Sequence, residues 1–206
     1  MIVLNELASV LNIRSSEPNK ALAQKLADNN DEAGVKELVD NINNKKIQSD
    51  IIKTLYETAE RKPSLVVPHA AVFIQLLDSK NNRMVWGAMT ALSAIATECA
   101  PLLYKAIARI VAIADKGTVI TKDHAVNILV KLSAFKAYAD DTLPLLLEQI
   151  LAAPMNQMPT YAEKTLPVID TANKAAFLDV LQTRLPDIEG EAKRKRLEKV
   201  IKKVKA

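Results

Sequence analysis

Glycine, cysteine and aromatic residues are scarce in this chain, and the scarcity of the first two argues against particular classes of protein. Its 206 residues include 4 Gly and 1 Cys, and aromatic residues make up 4%. So few glycines argue against a chain of tight β-hairpins, and the sequence contains no Gly-rich phosphate-binding motif. One cysteine excludes an intramolecular disulfide and a cysteine-based zinc site. No apolar run approaches the roughly 18–20 residues that cross a bilayer.

The beginning of the chain, MIVLNELASVLNIR, has no basic segment ahead of its apolar residues. It is therefore typical of an amphipathic helix rather than of a secretory signal peptide. Together with the lack of long apolar runs, this predicts a cytoplasmic protein. Nothing in the motifs predicts a cofactor.

The residues that are present repeat at a spacing of 37 and favour helices. The chain is 49% hydrophobic and 25% charged, and no stretch alternates polar and apolar residues as a strand would. Small or apolar residues recur 37 apart, each followed four positions later by a leucine. These pairs are Ile51 and Leu55, Ala88 and Leu92, Ala125 and Leu129, and Ala162 and Leu166. A fixed period of this length predicts an all-α array of stacked helix pairs.

Helical periodicity predicts one domain over 1–206, in three parts. Residues 1–30 are expected to form N-terminal cap helices, residues 31–171 the 37-residue repeats, and residues 172–206 a C-terminal cap with a basic last helix. The predicted helices cover residues 2–13, 18–28, 31–39, a stretch from NINNKK to about 61, 65–77, 82–98, 101–114, 121–137, 142–152, 160–170, 174–185 and 190–205.

The helix–turn–helix unit resembles HEAT repeats and the wider armadillo-like group. Asp78 closes one helix and Arg83 opens the next, and acidic residues at 40 and 115 occupy the same turn position, whereas the fourth unit has Ala153 there. The resemblance implies a right-handed α-α superhelix, or solenoid, of about four to five helix pairs. It also implies a scaffold that binds other macromolecules, and it implies no chemistry.

The second helix of each pair is expected to line the concave side, where a partner would bind. In the helix 82–98 the inward face leaves Trp86, Thr90, Ser93 and Thr97 outside, and a shift of 37 gives matching rows in the other repeats. The predicted partner-binding residues are Lys53, Tyr56, Trp86, Thr90, Asp123, Asn127 and Lys164. Trp and Tyr often dominate binding energy. The alternative is that Trp86 only packs between repeats.

The last helix is strongly basic. The chain carries a net charge of +4, but residues 188–206 hold eight basic and three acidic side chains, so the remainder is close to neutral. The basic side chains are Lys193, Arg194, Lys195, Arg196, Lys199, Lys202, Lys203 and Lys205. The seven from Lys193 to Lys203 are the predicted nucleic-acid-binding residues, and the basic helix could contact nucleic-acid phosphates or an anionic membrane surface. The alternative is a cap that packs through its apolar face, Leu197, Val200, Ile201 and Val204, and leaves its charges in water.

No combination of residues predicts catalysis or a metal site. His69 and His124, the only histidines, lie at different phases of the repeat, and Cys99 is expected to be a packing residue. Helical-repeat alkylpurine DNA glycosylases share this architecture, but here the single Trp has no acidic partner nearby. We therefore predict a non-enzymatic scaffold for a protein partner, with nucleic-acid binding through the last helix as the alternative. Partner identity and oligomeric state stay open.

Overall fold

A computed structural model describes residues 2–206, and within this range all regular structure is helical. The prediction of an all-α protein is confirmed. The α-helices are α1 Glu17–Asn29, α2 Glu32–Asp40, α3 Gln48–Arg61, α4 Pro63–Val66, α5 Ala70–Leu76, α6 Asn82–Ala94, α7 Ala100–Lys105, α8 Ile107–Lys116, α9 Val119–Ser133, α10 Lys136–Leu151, α11 Met158–Thr165, α12 Lys174–Arg184 and α13 Glu191–Lys205. None of these helices is both long and apolar enough to cross a membrane.

Proline shortens several of the helices predicted from periodicity. Short 3-10 segments occur at Val67–His69, Leu166–Val168 and Leu185–Asp187, and each contains a proline. Proline lacks the N–H of the helical hydrogen bond and clashes with the preceding turn. The predicted helix 65–77 is therefore split around Pro68. The predicted helix 160–170 ends at Thr165, and a 3-10 turn that contains Pro167 follows it. Pro144, by contrast, lies inside the continuous helix α10.

Several other predicted helix boundaries also differ from those in the structure. Residues 2–13 form only a 3-10 turn at Val3–Glu6 followed by further turns. Helix α6 ends at Ala94 rather than near residue 98, and the Cys99 thiol donates to the Ile95 carbonyl oxygen at 3.1 Å, so a helix-end carbonyl gains a partner. The predicted helix 101–114 is divided at Ala106 into α7 and α8, and Asp115, expected in a turn, lies inside α8.

The chain divides into two compact units, one up to His124 and one from Ala125 to Ala206. In the first unit α1 packs on α3, α3 packs on α6, and α5 packs on α6. In the second unit α11 packs on α13, and α10 packs on α12. Each unit thus brings helices that are not consecutive in the chain side by side, as α3 and α6 or α11 and α13. The assignment of one domain to 1–206 stays a prediction.

The residues of the 37-residue register form the core. Ile51, Ala88, Ala125 and Ala162 are each 0% exposed, and so are Leu55, Leu92 and Leu129. Leu166 lies in the 3-10 segment that ends α11 and is half-buried. The inward face predicted for the helices is therefore confirmed at these seven positions.

Hydrogen bonds also join side chains that lie 37 residues apart. In the first unit Arg61 Nε donates to Gln24 Oε1 at 3.0 Å. In the second unit Lys164 Nζ donates to Asn127 Oδ1 at 2.8 Å, and Lys193 donates to Asn156. Equivalent positions of neighbouring helices thus face each other within each unit. Helix α1 takes part, although its residues lack the apolar register of the later helices.

Candidate functional site

A groove of about 350 Å³ opens along α1, α3 and α6 in the first unit. We call it the α3–α6 groove, because most of its residues lie on these two helices. It is lined by Ser16, Asn19, Ser49, Asp50, Ile52, Lys53, Tyr56, Arg83, Trp86, Gly87, Thr90 and Ile120. Most of these residues lie in the N-terminal halves of α1, α3 and α6, while Tyr56 and Thr90 lie in the third turns of α3 and α6, and Ile120 lies at the start of α9.

A close approach of two helices forms the floor of the groove. Gly87 in α6 lies against Ile52 in α3, and a Cβ atom added to Gly87 would overlap the Ile52 side chain. Only glycine permits this separation. Trp86, next to Gly87, is half-buried and keeps part of its surface in the groove. The close approach of α3 and α6 at Gly87 thus sets the position of the neighbouring Trp86 indole.

Lys53 and Tyr56 form a positively charged aromatic wall on α3. The Lys53 ammonium lies 4.6 Å from the centroid of the Tyr56 ring, and it donates to Glu57 Oε1 at 2.5 Å. Burial would lower the pKa of Lys53, but the bond to Glu57 and the nearness of Tyr56 outweigh it, so the pKa is raised. The ammonium therefore stays charged and is paired with Glu57.

Glu57 joins two cations of α3. Its second oxygen accepts from Arg61 Nη1 at 2.6 Å, and the residue is 9% exposed. Burial would raise the pKa of this carboxyl, but the hydrogen bonds from Lys53 and Arg61 outweigh burial and lower it. A folded-state pKa below the unfolded one means that ionised Glu57 stabilises the fold at neutral pH.

Glu57→Gln is expected to lower the free energy of unfolding by about 1–3 kcal/mol at neutral pH, because hydrogen bonds to charged groups are lost. The stabilisation is complete above the unfolded-state pKa of about 4.3 and disappears as pH falls through the lower folded-state value. Denaturant unfolding of both chains at neutral and acid pH checks this.

The matched control is Glu98→Gln, since Glu98 is exposed and donates or accepts no side-chain hydrogen bond within residues 2–206. It is expected to change little. An equal cost for Glu57→Gln at neutral and strongly acid pH would contradict the role given to the Glu57 carboxylate.

The other two charged residues of the groove, Asp50 and Arg83, differ in whether they already form hydrogen bonds within the chain. Both Asp50 oxygens are engaged: Oδ1 accepts from Asn19 Nδ2 at 2.8 Å, and Oδ2 accepts from the Ser9 N–H at 2.9 Å. The Arg83 guanidinium is exposed and has no hydrogen bond or ion pair to any part of the chain that the structure describes. Of the two cations that line the groove, Lys53 is paired with Glu57, and Arg83 has no such partner within residues 2–206.

Thr90 is fixed in the groove by two contacts. Its Oγ1 donates to the Trp86 carbonyl oxygen at 2.9 Å and lies 3.0 Å from His124 Nε2. His124 therefore has a structural contact at the groove. Among residues 2–206, His, Cys, Asp and Glu nowhere form a cluster of three that could hold a metal ion.

The structure brings together four of the seven predicted partner-binding residues. Lys53, Tyr56, Trp86 and Thr90 line the α3–α6 groove, whereas Asp123 does not. Asn127 and Lys164 belong to the second unit, where they bond to each other. Ser93, expected on the outer stripe, is 6% exposed, so it belongs to the buried side of α6.

Sequence reasoning missed several residues that line the groove. Arg83 was assigned to the repeat turn, although it lies one helical turn before Trp86 and therefore on the same face. Ser16 and Asn19 were placed in an N-terminal cap outside the repeats. The 37-residue spacing does point to them, because Ser16 lies 37 residues before Lys53, which lies 37 before Thr90, and Asn19 lies 37 before Tyr56.

The basic last helix packs as a cap on the second unit. Leu197 is 0% exposed, Val200 3% and Ile201 8%, and α13 lies against α11 and α12. Val204 is half-buried. The apolar face predicted for this helix is therefore confirmed as its packing face.

Four of the seven predicted nucleic-acid-binding residues are engaged within the second unit. Arg196 pairs with Glu163 at 2.6 Å and donates to Thr160, and its hydrogen bond is the main reason why the pKa of Glu163 is lowered. Lys195 pairs with Glu191, Lys193 donates to Asn156, and Arg194 donates to Pro186. The other three of the seven, Lys199, Lys202 and Lys203, are exposed and have no hydrogen bond or ion pair in the described chain.

Comparison with known proteins gives a shared fold and no family. No family model and no curated protein matches this chain. A crystal structure of an engineered protein from the Northeast Structural Genomics Consortium is similar, with a TM-score of 0.64 and 19% sequence identity. The match covers 100% of this chain and 97% of that one. At this identity the likeness shows the fold alone.

Proposed function

We propose that this chain is a non-enzymatic interaction scaffold that binds a protein partner in the α3–α6 groove. The observation that carries the proposal is the composition of the groove, where half-buried Trp86 lies beside Tyr56 and the unpaired Arg83. Trp, Tyr and Arg are the residues that most often dominate binding energy at protein interfaces. The tightly packed helices under Trp86 and Tyr56 hold these two half-buried rings in place before a partner arrives, which reduces the entropy lost on binding.

We further propose that the helix pairs form a HEAT-like right-handed solenoid. Support comes from the buried 37-residue register and from hydrogen bonds between side chains 37 residues apart in each unit. In stacked repeats the equivalent positions of adjacent repeats face each other, as these side chains do. The single cysteine, which can form no internal disulfide, supports the proposal of a cytoplasmic location.

The charged residues of the groove support binding rather than catalysis. Asp50 holds Asn19 and the Ser9 backbone, while Glu57 holds Lys53 and Arg61. A general acid or base must keep a proton-transferring atom within reach of a substrate. Here the carboxylates are already occupied by structural partners, so we propose that the chain is not an enzyme.

Nucleic-acid binding through α13 is the alternative, and the contacts of that helix reduce its support. Affinity for nucleic acid grows with the number of phosphates that Lys and Arg neutralise. Four of the seven predicted cations already bond within the second unit, so three are available. We therefore favour the protein partner.

Affinity capture from a lysate with wild-type chain, Trp86→Ala and Phe135→Ala tests the proposal. Phe135 is a matched control, since it is an exposed aromatic residue outside the groove. We expect a protein that wild type and Phe135→Ala retain and Trp86→Ala loses, while all three chains keep the same helical circular dichroism. Nuclease treatment and higher salt should leave that protein bound, because an apolar contact does not depend on released counterions.

Two outcomes would contradict this account. If Trp86→Ala unfolds or is destabilised by roughly 3–5 kcal/mol, as a core Trp would be, the residue belongs to the packing between helices. If capture instead depends on nuclease-sensitive material and on Lys199, Lys202 and Lys203, the α13 alternative is correct.

A further inference from the structure

We propose that the occupant of the α3–α6 groove is an acidic, extended peptide segment that carries a bulky apolar residue. This inference rests on the proposed function and specifies the chemistry of the partner. The apolar side chain lies against Trp86 and Tyr56, and a neighbouring carboxylate of the peptide pairs with the Arg83 guanidinium.

The charge of the groove carries the inference. Both Asp50 oxygens already accept from Asn19 and the Ser9 N–H, and the Lys53 ammonium already donates to Glu57. What remains for a partner is the exposed, unpaired guanidinium of Arg83. Guanidinium binds carboxylate through two parallel hydrogen bonds, so an acidic side chain is its natural complement.

The N-terminus of α6 adds to the same positive potential. Arg83 lies in the first turn of α6, Ser49 lies in the first turn of α3, and Ser16 directly precedes α1. The Asn19–Asp50 bond in the first turns and the Arg61–Gln24 bond further along both helices together show that α1 and α3 run side by side in the same direction. Glu17 and Asp50 in the first turns of α1 and α3 offset the partial positive charges of those two N-termini, whereas α6 has no acidic residue in its first turn, so its N-terminus favours an anion beside Arg83.

The spacing along α6 fits an acidic residue next to an apolar one. Arg83 and Trp86 are three residues apart on one helix, so their side chains are neighbours on one face. Tyr56 faces the same groove from α3. A volume of about 350 Å³ holds a few side chains rather than a folded domain. An extended segment fits these dimensions.

A peptide fits this groove better than a nucleic acid. Phosphate backbones gain affinity from several cations arranged along a track, whereas the groove has one free guanidinium. Aromatic side chains can also stack on bases, so an oligonucleotide is included in the test.

Selection of short random peptides from a display library is the experiment, carried out on wild type, Arg83→Glu and Lys46→Glu. Lys46 is the matched control: it is exposed, lies 37 residues before Arg83, and is outside the groove. Both variants change the net charge by the same amount. We expect wild type and Lys46→Glu to enrich peptides with Asp or Glu beside an apolar residue, and Arg83→Glu to lose this enrichment.

One enriched peptide, labelled with a fluorophore, then gives affinities by anisotropy. Arg83→Glu and Trp86→Ala should each weaken binding about tenfold or more, while Lys46→Glu should stay within about twofold of wild type. Arg83→Lys should bind better than Arg83→Glu, since it keeps the charge but loses the paired hydrogen bonds.

Three results would overturn the inference. Selected peptides could lack acidic residues, Arg83→Glu and Lys46→Glu could behave alike, or a single-stranded oligonucleotide could bind with the Arg83 dependence expected of the peptide. If any of these occurs while the captured protein still needs Trp86, the groove remains the binding site and only the acidic character of its occupant is wrong. If capture does not need Trp86, the proposed function itself fails.

Discussion

Leu92→Ala is expected to lower the free energy of unfolding by about 2–5 kcal/mol, as truncations of other fully buried leucines do. Leu92 is 0% exposed and lies on the face of α6 that carries the 37-residue register. Its neighbours Ala88 and Met89 are also 0% exposed, so little can move to fill the cavity. Denaturant-induced unfolding followed by circular dichroism measures the difference.

Leu102→Ala is the matched control, because Leu102 is a helical leucine of the same unit that is 37% exposed. Leu102→Ala should lower the free energy of unfolding by much less than Leu92→Ala does, since Leu102 buries less apolar surface. A cost under about 1 kcal/mol for Leu92→Ala would mean that the inward face of the repeats has been misplaced.

Removal of residues 187–206 is expected to lower both the melting temperature and the solubility. Leu197, Val200 and Ile201 of α13 are buried against the second unit, and each fully buried side chain of this kind contributes about 1.5–3 kcal/mol. Without α13 the apolar surfaces of α11 and α12 would face water and favour aggregation. Thermal unfolding and light scattering measure both effects.

The control for this truncation keeps α13 and removes charge only, by changing Lys199, Lys202 and Lys203 to Gln. These lysines are exposed, so this variant should unfold near the wild-type temperature. If instead the truncated chain is monomeric with an unchanged melting temperature, α13 is an appended basic segment. The nucleic-acid alternative would then gain support.

The core was predictable because the repeat and the helical period agree. Ala88 and Leu92 are four apart on one helical face, and the same pair recurs at Ala125 and Leu129. Burial of all four follows from that pattern. Helix ends were less predictable, since they depend on local bonds such as that from Cys99 to the Ile95 carbonyl oxygen, which periodicity does not reveal.

The groove was predictable in part. The outer face of α6 gave Trp86 and Thr90, and a shift of 37 gave Lys53. The contribution of α1 is not predicted because Arg14, ahead of α1, and Pro18, in its first turn, stand at the two apolar positions of the register, although Ser16 stands at a polar one. Which charges are free could not be read from sequence at all, since it depends on contacts such as that between Lys53 and Glu57.

The fluorescence of Trp86 tests the central claim most directly. Trp86 is the only tryptophan of the chain, so its emission reports on the groove without interference. When the captured partner or a selected peptide binds, we expect the emission to shift to shorter wavelength and its quenching by acrylamide to fall, because the exposed part of the indole is covered. Saturating binding that leaves both the emission and the quenching of Trp86 unchanged would show that the partner binds elsewhere, and it would contradict this account.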